Sequence, residues 1–163
     1  MDSRQALKAS IDGAQMIADR YLADLSDADL MVRAIPGTNH IAWQLGHLIQ
    51  SENSLTEGAV PGSMPKLPAE FAKKLKRDNF GSDNPADFFT KEEYLKVAKE
   101  QRAATLAALA KLSDADLDKP GPESMRAFCP TVASIFVLQA SHWLMHAGQW
   151  AIIRRKLGKA PLF

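Results

Sequence analysis

Residues 131–158 read Thr131-Val-Ala-Ser-Ile-Phe-Val-Leu-Gln-Ala-Ser-His-Trp-Leu-Met-His-Ala-Gly-Gln-Trp-Ala-Ile-Ile-Arg-Arg-Lys-Leu-Gly158. The run is apolar, free of proline, and followed by a glycine and then Pro161, which predicts one long helix from just after Pro130 to Leu157. Its basic end, Arg154, Arg155 and Lys156, complements the helix macrodipole.

Three further segments carry helical periodicity. The first runs from Ser3 to about Leu25, with Leu7, Ile11, Ala14, Ala18, Tyr21 and Leu25 on one stripe. The second opens at Thr38 or Asn39, passes Ile41, Trp43, Leu45, Leu48 and Ile49, and stops near Glu57 at Gly58. The third begins at Thr90 with Glu93 three residues on, a capping box, and ends near Leu112. Alternating runs of Val, Ile and Thr are missing, so the expectation is an all-α chain, a four-helix bundle forming a single domain over 1–163. A chain of 163 residues is large enough to bury its own core.

Composition narrows the function. With 46% hydrophobic and 24% charged residues the chain reads as soluble and globular. Lys and Arg number 20 against 19 acidic residues, which leaves no global field to attract nucleic-acid phosphates. The single cysteine, Cys129, cannot form an internal disulfide and reads as a small buried side chain. No basic stretch followed by an apolar run opens the chain, and no segment is apolar enough to cross a bilayer. A cytoplasmic protein is the expectation.

Residues 58–89 hold Pro61, Gly62, Pro65, Pro68, Gly81 and Pro85, with a short helical piece predicted from Pro68 to Arg77. Such a long connection between the second and third helices fits a crossover, a lid over a site, or a mere insertion. An internal echo carries more information. Leu25-Ser-Asp-Ala-Asp-Leu30 recurs as Leu112-Ser-Asp-Ala-Asp-Leu117, and each copy precedes a Pro-Gly loop and then a helix with a histidine. Aligning His47 with His142 also aligns Gln44 with Gln139, and Gly46 with Ser141. Shared turn chemistry could produce the hexapeptides alone. With the matching histidines, a duplicated helix pair is the better reading, and it predicts that the two histidine helices face each other.

His142 and His146 are four residues apart, which places both imidazoles on one helix face, a spacing suited to two ligands of one ion. Taken alone the pair also fits ordinary core histidines. The chain has only four histidines, however, and His47 stands in the repeat-equivalent place on an equally apolar helix. Burying several imidazoles is costly unless each finds a partner, and a shared metal would be one. Three ligands with an open position is the usual form of a catalytic ion. His40, seven residues before His47, lies about 10 Å further along the axis and falls outside the ligand set. Its expected place is the helix start, at the pocket mouth or in a loop contact. Gln50 and Gln149 sit three residues past His47 and His146 and could orient ligands from behind, or be ordinary boundary residues.

Tryptophan rather than glutamate follows His142, so the zincin motif with its built-in base is absent. Neither Glu52 nor Glu57 falls on the His47 face; a general base would have to come from the third helix, the long loop or the ion's own ligand. Catalytic residues beyond the metal set are therefore unassigned. A phosphate loop, a nucleophile elbow and the paired Glu-x-x-His of di-iron bundles are likewise missing.

The run Asn39-His-Ile-Ala-Trp-Gln-Leu-Gly-His-Leu48, together with His142-Trp-Leu-Met-His-Ala-Gly-Gln149, resembles the DinB-like (DinB/YfiT) superfamily over essentially the whole chain. The resemblance implies a four-helix bundle in up-down-down-up order, often a homodimer. It also implies a metal triad of one histidine on the second helix and a pair four apart on the last, matching His47, His142 and His146. Characterised relatives include thiol-dependent S-transferases and isomerases that use low-molecular-weight thiols with zinc or nickel, and some hydrolases. The leading expectation is thus a metal-dependent enzyme acting on a small-molecule substrate, with an open position that activates a small thiol or a water. A metal-dependent hydrolase and a non-catalytic, metal-stabilised stress-response or binding protein are the alternatives, and neither nucleic acid nor membrane is an expected partner.

Overall fold

The computed structural model describes residues 1–74 and 81–162. Its elements run α1 (Ser3–Leu22), α2 (Asp27–Leu30), α3 (Ile41–Ala59), α4 (Ala69–Lys74), a 3-10 turn (Pro85–Asp87), α5 (Lys91–Ala110), α6 (Asp114–Leu117), a 3-10 turn (Glu123–Met125) and α7 (Val132–Lys156). Among the described residues no strand occurs beyond an isolated bridge pairing Pro120 with Thr131. The four long helices α1, α3, α5 and α7 carry the core. α1 lies along α7 and touches α5, while α3 lies against both α5 and α7.

Side chains at the caps set most boundaries. Asp2, Ser26, Thr90, Ser113 and Thr131 each close a reciprocal capping box, satisfying free N–H groups of the first turn. Ser26 ends the first helical run earlier than the apolar stripe implies, because it starts α2; Leu25 stays buried in the turn between them. The second predicted helix starts later than Thr38 or Asn39. Thr38 Oγ1 is turned back to the Ile35 carbonyl at 2.7 Å, and His40 takes the cap, its Nδ1 accepting from Trp43 N–H at 3.1 Å. Gly58 does not stop that helix, which runs on to Ala59, where Val60 N–H returns to the Thr56 carbonyl at 2.8 Å. At the far end of α7, Gly158 adopts φ 72°, a left-handed value that favours glycine after a helix.

Arg154 has a more specific role than facing the helix dipole. It is 3% exposed, donates to the Tyr21 carbonyl at 3.0 Å and pairs with Asp24, tying α7 to the end of α1. The 58–89 connection is pinned to the bundle: Phe71 stacks on Phe89 at 4.7 Å and meets the buried Tyr94 edge-on, while Asn53 donates to the Pro65 carbonyl at 2.8 Å. Its short helix is α4; the predicted continuation through residues 75–77 lies outside the described residues.

The two echo copies form α2 and α6, each with the same Ser–Asp capping box. Their Pro-Gly loops diverge. Gly121 N–H donates to the Pro130 carbonyl at 3.0 Å, and a Cβ there would stand 2.1 Å from the Cys129 carbonyl oxygen, so only glycine fits. Val132 N–H to the Lys119 carbonyl, at 2.9 Å, closes the base of the same loop.

Candidate metal centre

Contact between α3 and α7 brings three of the four histidines together. Ligand nitrogens of His47, His142 and His146 all lie within 4.8 Å of one another. His47 Nε2 stands 3.2 Å from His142 Nε2. Two imidazole nitrogens bound tetrahedrally at ~2.0–2.1 Å from one ion would stand about 3.3 Å apart. The ring centroids form a near-even triangle of 5.0, 5.0 and 5.6 Å. Trp43 stacks on the His47 ring at 5.1 Å and backs it from one turn earlier on α3.

His146 supplies the sharpest test of whether a metal fits. It is 6% exposed, and its Nε2 has no hydrogen-bond partner among the described residues. Its Nδ1 lies 2.9 Å from Gln44 Oε1, which also accepts from Trp150 Nε1 at 2.8 Å. Gln44 Nε2 in turn donates to the Asn39 carbonyl at 2.7 Å. An indole nitrogen only donates and a carbonyl only accepts, so both ends of the Gln44 amide are fixed by chemistry. His146 therefore carries its proton on Nδ1 and presents a bare Nε2 lone pair to the other two rings. An unpartnered buried acceptor is costly, and a cation at the centre of the triangle would satisfy it. The residues fit a metal ion.

Electrostatics favour the same state. Burial lowers the pKa of His47, and burial followed by the neighbouring imidazoles pushes His142 and His146 down to about 4. All three rings are neutral at pH 7, the form that binds metal. Among the described residues the cluster includes no carboxylate. Glu52, five residues beyond His47, is committed to the core. It accepts from Arg102 at 2.9 Å and from Trp143 Nε1 at 3.2 Å, with the Arg102 guanidinium 5.4 Å from the Trp143 ring centroid. Glu57 accepts the Gly62 and Met64 N–H groups at 2.6 and 3.0 Å.

His40 stays out of the triad, as the axial distance predicts. Its Nδ1 caps α3, its Nε2 reaches the Ser82 carbonyl at 3.2 Å, and its ring meets Phe88 edge-on. Both nitrogens are spent on backbone groups, the loop contact expected of it. Gln50 and Gln149 do not hydrogen-bond a triad histidine among the described residues; Gln50 is exposed and Gln149 half-buried. The glutamine behind the site is Gln44, three residues before His47 rather than after it. Its signal was present in the repeat alignment, but only burial shows which face it takes.

One wall of the site is open. A groove of about 710 Å³ between α3, α7 and the 122–128 segment has His142 in its lining. None of the described residues of the 58–89 connection lines it.

The fold resembles that of a crystal structure described as the conserved protein of locus from Enterococcus faecalis. The TM-score is 0.68 at 16% identity, over 98% of this chain and 99% of that one, a likeness of fold alone. No curated protein matches the chain. The family model of the DinB superfamily matches residues 10–150, a span holding His47, His142, His146 and Gln44, and the chain belongs to that superfamily.

Proposed function

We propose that this protein is a metal-dependent enzyme in which His47, His142 and His146 hold one divalent ion, zinc or nickel, with a position left open for a small thiol or a water. The observation that carries this reading is the bare, buried Nε2 of His146, held towards two other neutral imidazoles by an amide that cannot flip. When bound, the ion would lower the pKa of a thiol or water so that it is nucleophilic near neutral pH. The chain's own part is to hold three nitrogens in place through Gln44 and Trp43, and to keep carboxylates away from the centre. The resemblance to thiol-dependent relatives favours a low-molecular-weight thiol over a water. A cluster without a carboxylate among the described residues agrees with this, since a thiol is the more acidic of the two and depends less on an added base. The same reading takes α1, α3, α5 and α7 as an up-down-down-up bundle in a cytoplasmic homodimer that binds neither nucleic acid nor membrane. The near-equal charge count supports the partner assignment, and no described helix is long and apolar enough to cross a membrane.

Metal content of the purified protein, set against a variant with all three histidines changed to alanine, tests the first step. Stoichiometric metal in the native chain and none in the variant is expected; equal metal in both would overturn the assignment. A conjugation screen of the zinc- and nickel-loaded protein with several low-molecular-weight thiols and one electrophile tests the second. Turnover with none of them, alongside hydrolysis of an ester panel, would move the assignment to a hydrolase.

A further inference from the structure

The groove beside His142 has a composition that restricts what can enter it. Leu55, Met125, Phe128, Leu138 and Met145 give it an apolar surface, and Gln50, Ser51 and Ser54 on α3 add uncharged polar groups. Among the described residues, no Asp, Glu, Lys or Arg lines it. The acidic residues of α3 are turned elsewhere, Glu52 to Arg102 and Glu57 to the Gly62 and Met64 amides. Phe128 is 82% exposed and Met145 57% exposed, a large apolar display at the surface. The volume of about 710 Å³ lies in the range of small-molecule sites.

The repeat adds an independent point. With His142 aligned on His47, the counterpart of His146 is Ser51. Where symmetry would place a fourth histidine, the chain carries a small hydroxyl that lines the groove together with His142. The triad is thus incomplete on the side where the groove begins.

We propose that this groove binds the substrate of the site, a neutral small molecule with an apolar chain or ring as its body and its reacting group next to His142. This rests on the triad being the reactive centre. An anionic or cationic body would lose hydration there without gaining a partner. A neutral one gains about fourfold in affinity per buried methylene.

The test is an NMR titration of the metal-free full chain with hexanamide, heptanamide and octanamide, and with octanoate and octylammonium as charged counterparts. Saturable shifts at the His142 ring and the Met125 and Met145 methyls are expected, with affinity rising about fourfold per methylene. Both charged ligands should bind at least about tenfold more weakly. Phe128→Ala and Met145→Ala change exposed side chains and should each weaken octanamide by about tenfold. Ser54→Trp, also on the surface, should block it by filling the groove. Absence of saturable shifts at these positions, or octanoate binding as well as octanamide, overturns the proposal. So does a response of the methionine methyls to protein concentration alone, which would mean that a second copy covers the groove. Metal content is measured separately, so amide binding without metal loading would leave the groove standing and sink the metal reading, and the reverse result would do the opposite.

Discussion

Replacing Gln44 by methionine keeps the length of the side chain and removes its hydrogen-bonding groups. Two donors, His146 Nδ1–H and Trp150 Nε1–H, then lose the oxygen they share, and the Asn39 carbonyl loses its donor. Trp150 is fully buried and His146 nearly so, so water cannot replace that oxygen freely. Each stranded buried donor costs about 1–3 kcal/mol, giving a loss of about 2–6 kcal/mol for the pair. That is a large share of the ~5–15 kcal/mol that holds a domain folded, and over most of the two ranges it leaves a folded population to measure. The consequence for the site is separate from the loss of stability. Without Gln44 nothing fixes the proton of His146 on Nδ1, and Nε2 becomes free to carry it. Nitrogen NMR of the metal-free protein reads the tautomer directly: Nδ1–H in the native chain, a mixture or Nε2–H in the variant. Zinc affinity should fall about 10–100-fold, the usual effect of losing the group that orients a ligand histidine. Gln44→Glu retains an acceptor for both donors and should rescue the tautomer while still weakening the contact to Asn39. If His146 keeps Nδ1–H in Gln44→Met and zinc affinity is unchanged, Gln44 is a packing residue and the reasoning fails.

Three further outcomes are expected. Glu52→Leu strands the buried Arg102 cation and the Trp143 N–H, and should cost about 3–5 kcal/mol in urea unfolding. Adding Arg102→Met should recover much of that loss; a double variant no more stable than the single one would refute a coupled pair. The metal-free protein should also lose stability as pH falls from about 6.5 towards 4. Over that interval the unfolded chain takes up protons on His142 and His146, whereas burial keeps the folded chain from doing so until about pH 4. A urea midpoint that is flat across this window would contradict the buried, neutral triad. Gly121→Ala places a methyl against the Cys129 carbonyl, and should cost about 1–3 kcal/mol and shift the amide signals of residues 122–130. Unchanged stability and spectra would show that the loop does not depend on that close approach.

Periodicity, capping boxes and the terminal glycine made the helices legible, because these are local effects written within four residues of one another. The boundaries that differed follow from competition between neighbouring local turns and from one tertiary contact. Ser26 starts α2 and Thr38 is recruited by the Ile35 turn, both within a few residues. His40, which takes the cap of α3, is also held by the Ser82 carbonyl 42 residues away. The triad was legible from spacing and from the repeat. Its support was not, since Gln44, Gln50 and Gln149 all stand three residues from a histidine of the triad, and only packing decides which is inward.

The repeat also shows how one scaffold yields an asymmetric site. Gln44 and Gln139 are aligned and each is 1% exposed, yet they work in opposite senses. Gln44 turns its oxygen towards α7 and receives His146 and Trp150. Gln139 turns its nitrogen towards α3, donating to Thr56 Oγ1 at 3.1 Å and to the Glu52 carbonyl at 3.5 Å. One half of the pair thus builds the histidine centre, while the other joins the buried network around Glu52, Thr56 and Thr105. The histidine count follows the same division: two on α7 and one on α3, with Ser51 where a fourth would complete the symmetry. A symmetric set of four imidazoles would close a tetrahedral ion and leave it structural, whereas three leave a position for an outside ligand. Changing Ser51 to histidine is therefore a direct probe of what the asymmetry is for. If the open position serves the reaction, Ser51→His should bind zinc more tightly than the native chain and lose thiol conjugation. Tighter zinc binding with conjugation intact would show that catalysis does not depend on the gap that Ser51 leaves.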